Sequence, residues 1–186
     1  MQIGKPRPAV TSICEASADR IEVRGRDLTS ELCGKLLMDA DYRVADGGNP
    51  EAVALALARE IHASGGRAPG FGHPVHKPID PRAKRIMELA QERGVAGRHC
   101  AMAQRIEKAV AEVWGKRLVM NVSMPIAAVL LDLDFPAPMI KAIPLLARTG
   151  SLLAHLAEEQ KNPIGFLMAG QAEAAVGYER RDPDNA

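Results

Sequence analysis

The sequence holds very few aromatic residues: three phenylalanines, two tyrosines and one tryptophan among 186 residues. That is too sparse for the stacking platforms that bind single-stranded nucleic acid. It also lacks an excess of charge of either sign. Its 24 lysines and arginines face 23 acidic residues, for a net charge of +1. Such a chain has no global field with which to hold nucleic acid or an anionic membrane. No run approaches the roughly 18 consecutive apolar residues of a transmembrane helix. The N-terminal MQIGKPRPAVTS has no apolar signal-peptide core, so the cytoplasm is the expected compartment. The cysteines Cys14, Cys33 and Cys100 are odd in number and widely spaced, with no CxxC pair. They read neither as a disulfide framework nor as a zinc site, and buried, reduced thiols are expected. What the chain does have is apolar mass: 47% hydrophobic residues in 20.0 kDa, enough for one core.

The spacing of that mass is mostly helical. Residues 1–11 read as a flexible tail with Pro6 and Pro8. SICEAS and RIEVRG then alternate like two short strands of a hairpin, with Ile13, Ile21 and Val23 at β-favouring positions. Asp27 can cap a helix to about Met38, and the stretch 39–50 is a break rich in turn formers. Asn49 and Pro50 make a helix start, and Val53, Leu57 and Ile61 follow at four-residue steps. Gly65-Gly66 stops that helix. Asp80 and Pro81 open another, which ends at Gly94, and a further one covers 99–114. Pro125 opens an apolar helix, FPAP breaks the pattern, and a long helix follows from about Met139 to Glu159, with Pro144 as an expected bend. A last helix covers roughly Ile164 to Tyr178, and 180–186 read as a disordered tail. Helices follow one another without alternating strands, which argues against a doubly wound α/β fold.

The segment from Gly65 to Asp80 holds four glycines and three prolines in sixteen residues. Glycines let a backbone approach a ligand closely. His73 sits between Gly72 and Pro74, and Lys77 and Arg82 add two cations. Arg82 falls in the first turn of a helix, where the dipole disfavours a cation, and a bound anion would resolve that conflict. The plain alternative is a solvated surface loop. His73 and His76 alone make a poor metal site, so no metal is expected. His62, His99 and His155 fall on helical segments and read as structural or surface residues. Arg148 lies among Leu145, Leu146, Leu152 and Leu153, and an arginine in so apolar a helix calls for a partner or a ligand. The alternatives there are a salt bridge to Glu158 or Glu159, or a snorkelling side chain.

Together these segments resemble the citrate synthase family. GFGHPVHKPIDPRAKR is similar to its Gly-x-Gly-His loop followed by Asp-Pro-Arg. MNVSMPIAAVLLDL is similar to its Asn-Val-Asp segment and the helix behind it, and ARTGSLLAHLAEEQ to its Ala-Arg-Thr helix. The likeness spans about residues 11–179 and points most towards bacterial citryl-CoA lyases and citrate synthase-like proteins. It implies a mainly α, multi-helical citrate synthase-like unit over 12–179 with a small N-terminal β-hairpin, acting as a homodimer. It implies a Claisen-type condensation of a coenzyme A thioester with an oxaloacetate-like keto acid, or the reverse cleavage. His73 would hydrogen-bond the ketone oxygen. Arg82 and Arg148 would clamp the di- or tricarboxylate. The backbone of Arg67, Ala68, Pro69, Gly70, Phe71 and Gly72 would cradle the adenine end of coenzyme A, with Lys77 on a phosphate. The thioester is a substrate, and no permanently bound cofactor is implied.

Three departures set this chain apart from that pattern. Asn121-Val122-Ser123 stands where the family has Asn-Val-Asp, and a serine hydroxyl is no carboxylate base without an activating partner. Its plain role is to cap the helix at Pro125. A block carrying further helices and a second catalytic histidine is missing or omitted near 42–48. The cross-subunit arginine before a proline is replaced by Lys161-Asn162-Pro163, where Lys161 offers only a point charge. These departures leave room for a coenzyme A- or dicarboxylate-binding module without turnover, or for a plain helical oligomerisation scaffold.

Overall fold

The computed structural model describes residues 26–177. The expected hairpin and both terminal tails lie outside the described residues. The chain divides into two compact units, one up to Pro144 and one from Leu145. The described elements of the first unit are α1 (Arg26–Ala45), α2 (Pro50–Ala63), α3 (Pro81–Glu92), α4 (Arg98–Val113), α5 (Ser123–Asp132) and a short 3-10 turn (Ala137–Met139). Then α6 (Ala142–Lys161) leads into the second unit, which also holds α7 (Gly165–Ala175). Among the described residues no helix is long and apolar enough to cross a membrane.

Helix α5 is the hub of the first unit, packing against α1, α3 and α4. Its sequence explains this: SMPIAAVLLD carries no charge before Asp132, and Met124, Ala127 and Ala128 are fully buried. Small side chains at the crossings, Ala40 on α1, Ala58 on α2 and Ala103 on α4, are also fully buried and let the helices approach closely. Leu37, Ile106, Val110 and Ile140 fill the remaining space. Truncating such a side chain to alanine typically costs about 2–5 kcal/mol.

Several helix ends match the sequence signals. The Asn49 side chain accepts from the amides of Glu51 (3.0 Å) and Ala52 (3.1 Å), capping α2. Helix α4 starts at a glycine, Gly97, which has no side chain to cap with. The cap comes instead from α5: Asp132 accepts from the amides of Gly97 (2.7 Å), His99 (2.9 Å) and Cys100 (3.0 Å). Burial pushes the Asp132 carboxyl up, but these amides outweigh it and hold it below its ordinary range. His99 is buried between two carboxylates, Nδ1 2.8 Å from Asp132 and Nε2 2.8 Å from Asp41, which makes it a structural residue. Cys33 and Cys100 are buried free thiols, and burial raises both to about 12.

Three expectations need correction. Helix α1 runs on to Ala45, because Arg43 pairs with Asp39 (3.0 Å) on its own helix and with Glu60 (2.7 Å) on α2. The break is only the tight turn at 46–48, where a side chain on Gly48 would meet the Arg43 carbonyl at 2.6 Å. The long helix begins at Ala142 rather than about Met139, which puts Pro144 in its first turn, where proline is tolerated. Helix α5 begins at Ser123, two residues before Pro125.

The loop that matters is fixed by glycine. Gly70 has φ +82°, and a Cβ there would meet Cys33 Sγ at 2.7 Å and Met124 Cβ at 2.8 Å. Gly72 has φ +84° with open space around it. Gly72→Ala is therefore expected to cost about 1 kcal/mol, for the left-handed backbone alone. Gly70→Ala adds overpacking and is expected to cost about 3 kcal/mol. Urea unfolding measures both; equal losses would contradict the close approach at Gly70.

Candidate active site

The loop 68–73 is clasped to the connector before α5. Gly72 N–H donates to the Val119 carbonyl (2.7 Å) and Asn121 N–H to the Gly70 carbonyl (2.8 Å), with Phe71 and Met120 paired antiparallel. Asn121 completes the clasp. Its Nδ2 donates to the Gly72 carbonyl (3.1 Å), and its Oδ1 accepts from the Ser123 amide at the start of α5 (3.0 Å). Asn121 thus positions the loop, and it takes the capping role that the sequence assigned to Ser123. Ser123 itself is buried at the head of α5.

His73 projects from this clasp. Its Nδ1 accepts from two backbone amides, Val75 (3.1 Å) and His76 (3.0 Å). An imidazole nitrogen that receives two donors carries no hydrogen, so in the neutral ring the hydrogen sits on Nε2. Nε2 lies 3.1 Å from Arg82 Nη2, itself a donor. Two donors converge, and an acceptor oxygen placed beside them could accept from both.

Arg82 is held by Asp80. Asp80 Oδ1 accepts from the Arg82 amide (3.0 Å) and Nε (3.0 Å), and Oδ2 accepts from Nη2 (2.8 Å). The same carboxylate caps α3 and fixes the guanidinium. The anion that lets a cation sit at this helix start is therefore the chain's own Asp80. Burial pushes the Asp80 carboxyl up, but the Arg82 hydrogen bonds more than offset it and hold it at about 2, below its usual 3.8.

A cavity of about 340 Å³ opens beside His73, lined by Gly72, His73, Lys77 and Pro78 from the loop and by Arg117, Leu118 and Val119 from the connector. It has no acidic wall and several donors. Arg117 is the residue that sequence reading missed. Only its place three residues before the Asn121 connector hints at it, and the clasp is needed to bring that connector to His73. Of the expected backbone cradle, Arg67 is exposed and Pro69 half-buried, whereas Ala68, Gly70 and Phe71 are buried core residues. The Phe71 amide is spent on Ala68 and the Gly72 amide on Val119. His73, His76 and Asp80 bring ligand-type atoms within 4.8 Å of one another. This donor set suits a cation poorly, since both Asp80 oxygens receive Arg82 and His73 Nδ1 receives two amides. Arg148 is half-buried on α6, and Lys161 ends the same helix in the second unit. Of the salt-bridge partners considered for Arg148, Glu159 accepts from the amides of Ile164 and Gly165, and Glu158 lies 3.7 Å from His155.

Comparison with known proteins identifies the family. The family model "Citrate synthase, C-terminal domain" matches residues 36–165, more than half of the chain. The chain belongs to the citrate synthase family. It is 28% identical over 163 residues to a citrate synthase of Saccharolobus solfataricus, covering 81% of this chain and 43% of that protein. It is 31% identical over 136 residues to putative citrate synthase 2 of Mycobacterium tuberculosis, covering 71% of this chain and 35% of that protein. Among solved structures, citryl-CoA lyase from Hydrogenobacter thermophilus superposes with a TM-score of 0.65 at 27% identity, covering 83% of this chain and 58% of the other. This citrate synthase-family chain thus spans less than half the length of these two curated relatives.

The Asp80–Arg82 pair has a pH signature. The Asp80 carboxyl sits at about 2 in the folded protein and near 3.8 when exposed. Its stabilisation is complete above pH 4 and is lost as pH falls from there towards 2. Arg82 is partly exposed, so the effect is on the order of 1–2 kcal/mol. Unfolding curves across that window should show the loss, and Asp80→Asn should flatten it.

Proposed function

We propose that this chain carries the carboxylate- and oxyanion-binding part of an enzyme that joins a coenzyme A thioester to an oxaloacetate-like keto acid, or cleaves the product of that union. The observation that carries the reading is the nearness of His73 Nε2 to Arg82 Nη2, 3.1 Å apart, with His73 lining a cavity that has no acidic wall. A keto acid offers acceptor oxygens to both donors. In the condensing direction the enolate carbon of the thioester forms a bond to the ketone carbon, and the carbonyl π pair moves onto oxygen. Nε2–H donates to that oxygen as its charge develops, a contact stronger in the transition state than in the ground state. In the cleaving direction the pair returns, the carbon–carbon bond breaks, and the same donor holds the alkoxide. Arg82, its fork set by Asp80, binds a neighbouring carboxylate, and Arg148 is the second clamp. Lys77 attracts a phosphate of coenzyme A. No metal or permanent cofactor enters these steps. The reading includes a homodimer, supported by exposed apolar side chains such as Leu152, Leu156, Phe166 and Leu167 on α6 and α7.

Ser123 favours a second reading, binding without turnover. It stands where the family's pattern has a carboxylate base. Asp132 is a poor substitute: it lies nine residues further along α5, about 13 Å at the helical rise, and caps α4. Calorimetric titration with coenzyme A and oxaloacetate, run beside assays for thiol release and for citryl-CoA cleavage, separates the two. Turnover in either direction supports the enzyme, and binding with neither supports the module.

His73→Ala is expected to cut turnover roughly 100-fold or more while coenzyme A affinity changes less than about threefold. Equal losses would point to a collapsed loop instead. Arg148→Ala is expected to weaken oxaloacetate binding about 10- to 100-fold with an unchanged melting temperature. Lost stability with intact affinity would remove Arg148 from the clamp.

A further inference from the structure

A second cavity, of about 300 Å³, lies against α3 and α4, with the connector that precedes α5 on its other side. Its floor is apolar, with Ile79, Met87 and Val119 among the lining residues, and its polar wall includes Gln104, Glu107 and Arg117. Two of these charges are unspent. Glu107 is half-buried and Arg117 exposed, and neither side chain takes an ion-pair or hydrogen-bond partner among the described residues. They line one cavity, yet they do not approach within the 4.0 Å of an ion pair. By contrast, Asp80 at the same cavity is fully engaged by Arg82.

A half-buried carboxylate and an unpaired guanidinium lining one largely apolar cavity describe its ligand. A dianion would satisfy Arg117 and be repelled by Glu107. A neutral apolar molecule would fill the floor and leave the half-buried Glu107 desolvated, which costs free energy. A ligand with a carboxylate and an ammonium on one carbon, and a compact apolar side chain, answers all three features. The volume sits at the low end for ligand pockets, which fits so small a molecule. We propose that this cavity is a binding site for an α-amino acid with an aliphatic side chain, with its carboxylate on Arg117, its ammonium on Glu107 and its side chain against Met87 and Ile79.

The test is calorimetric titration of the purified chain with L-leucine, L-leucinamide and N-acetyl-L-leucine, with coenzyme A titrated in parallel. Saturable leucine binding is expected. Each capped analogue, having lost one charge, should bind at least tenfold more weakly. Glu107→Gln should cost leucine at least tenfold and leave coenzyme A affinity within twofold. No leucine binding by protein that still melts cooperatively would overturn the proposal, as would equal affinity for the capped analogues. The capped ligands act on the unaltered protein, so the result does not depend on a variant folding. Failure with leucine alongside intact coenzyme A binding would sink this inference and leave the proposed function standing.

Discussion

Two backbone hydrogen bonds hold the site together, Gly72 to Val119 and Asn121 to Gly70. They join a loop that has no regular structure of its own to a connector some fifty residues later in the chain. Everything chemical in the first unit hangs on that clasp. It aims His73 outwards, brings Arg117 alongside, and seats the start of α5 beneath the loop. The clasp is possible only because residue 70 lacks a side chain: any Cβ would collide with α1 and α5 together. The loop is therefore anchored in the core on one side and open to a cavity on the other.

The electrostatics follow from one carboxylate. Asp80 caps α3 and orients Arg82, so the guanidinium is placed by an interaction that also stabilises the fold. The pairing leaves Nη2 close to His73 Nε2, and the proposed function rests on this nearness of two donors. Asp132 plays the matching structural part at the other end of α5, where it supplies a cap that glycine cannot. Asp80 and Asp132 are thus occupied in holding helices and a guanidinium, and neither is free for proton transfer.

Much of this was legible in the residues, for identifiable reasons. Asn49-Pro50 and Asp80-Pro81 are helix starts whose chemistry is local, and they appear where expected. The glycine-histidine loop and Arg82 announced themselves through spacing and through a cation in an unfavourable place. What escaped the sequence was non-local. The extension of α1 depends on a salt bridge from Arg43 to α2. The cap of α4 comes from a residue about thirty positions away. Arg117 looks like an ordinary surface arginine until the clasp folds its connector against His73. Asn121, read only as the first residue of the Asn121-Val122-Ser123 run, proves to be the bolt between loop and helix.

The account stands on the state of one ring. Nitrogen-15 spectra of the histidine-labelled protein report directly which nitrogen of His73 carries hydrogen. The expected result is an unprotonated Nδ1 and a protonated Nε2, with oxaloacetate shifting the Nε2 resonance and that shift lost in Arg82→Gln. A hydrogen on Nδ1, or a His73 spectrum indifferent to oxaloacetate, would contradict the account.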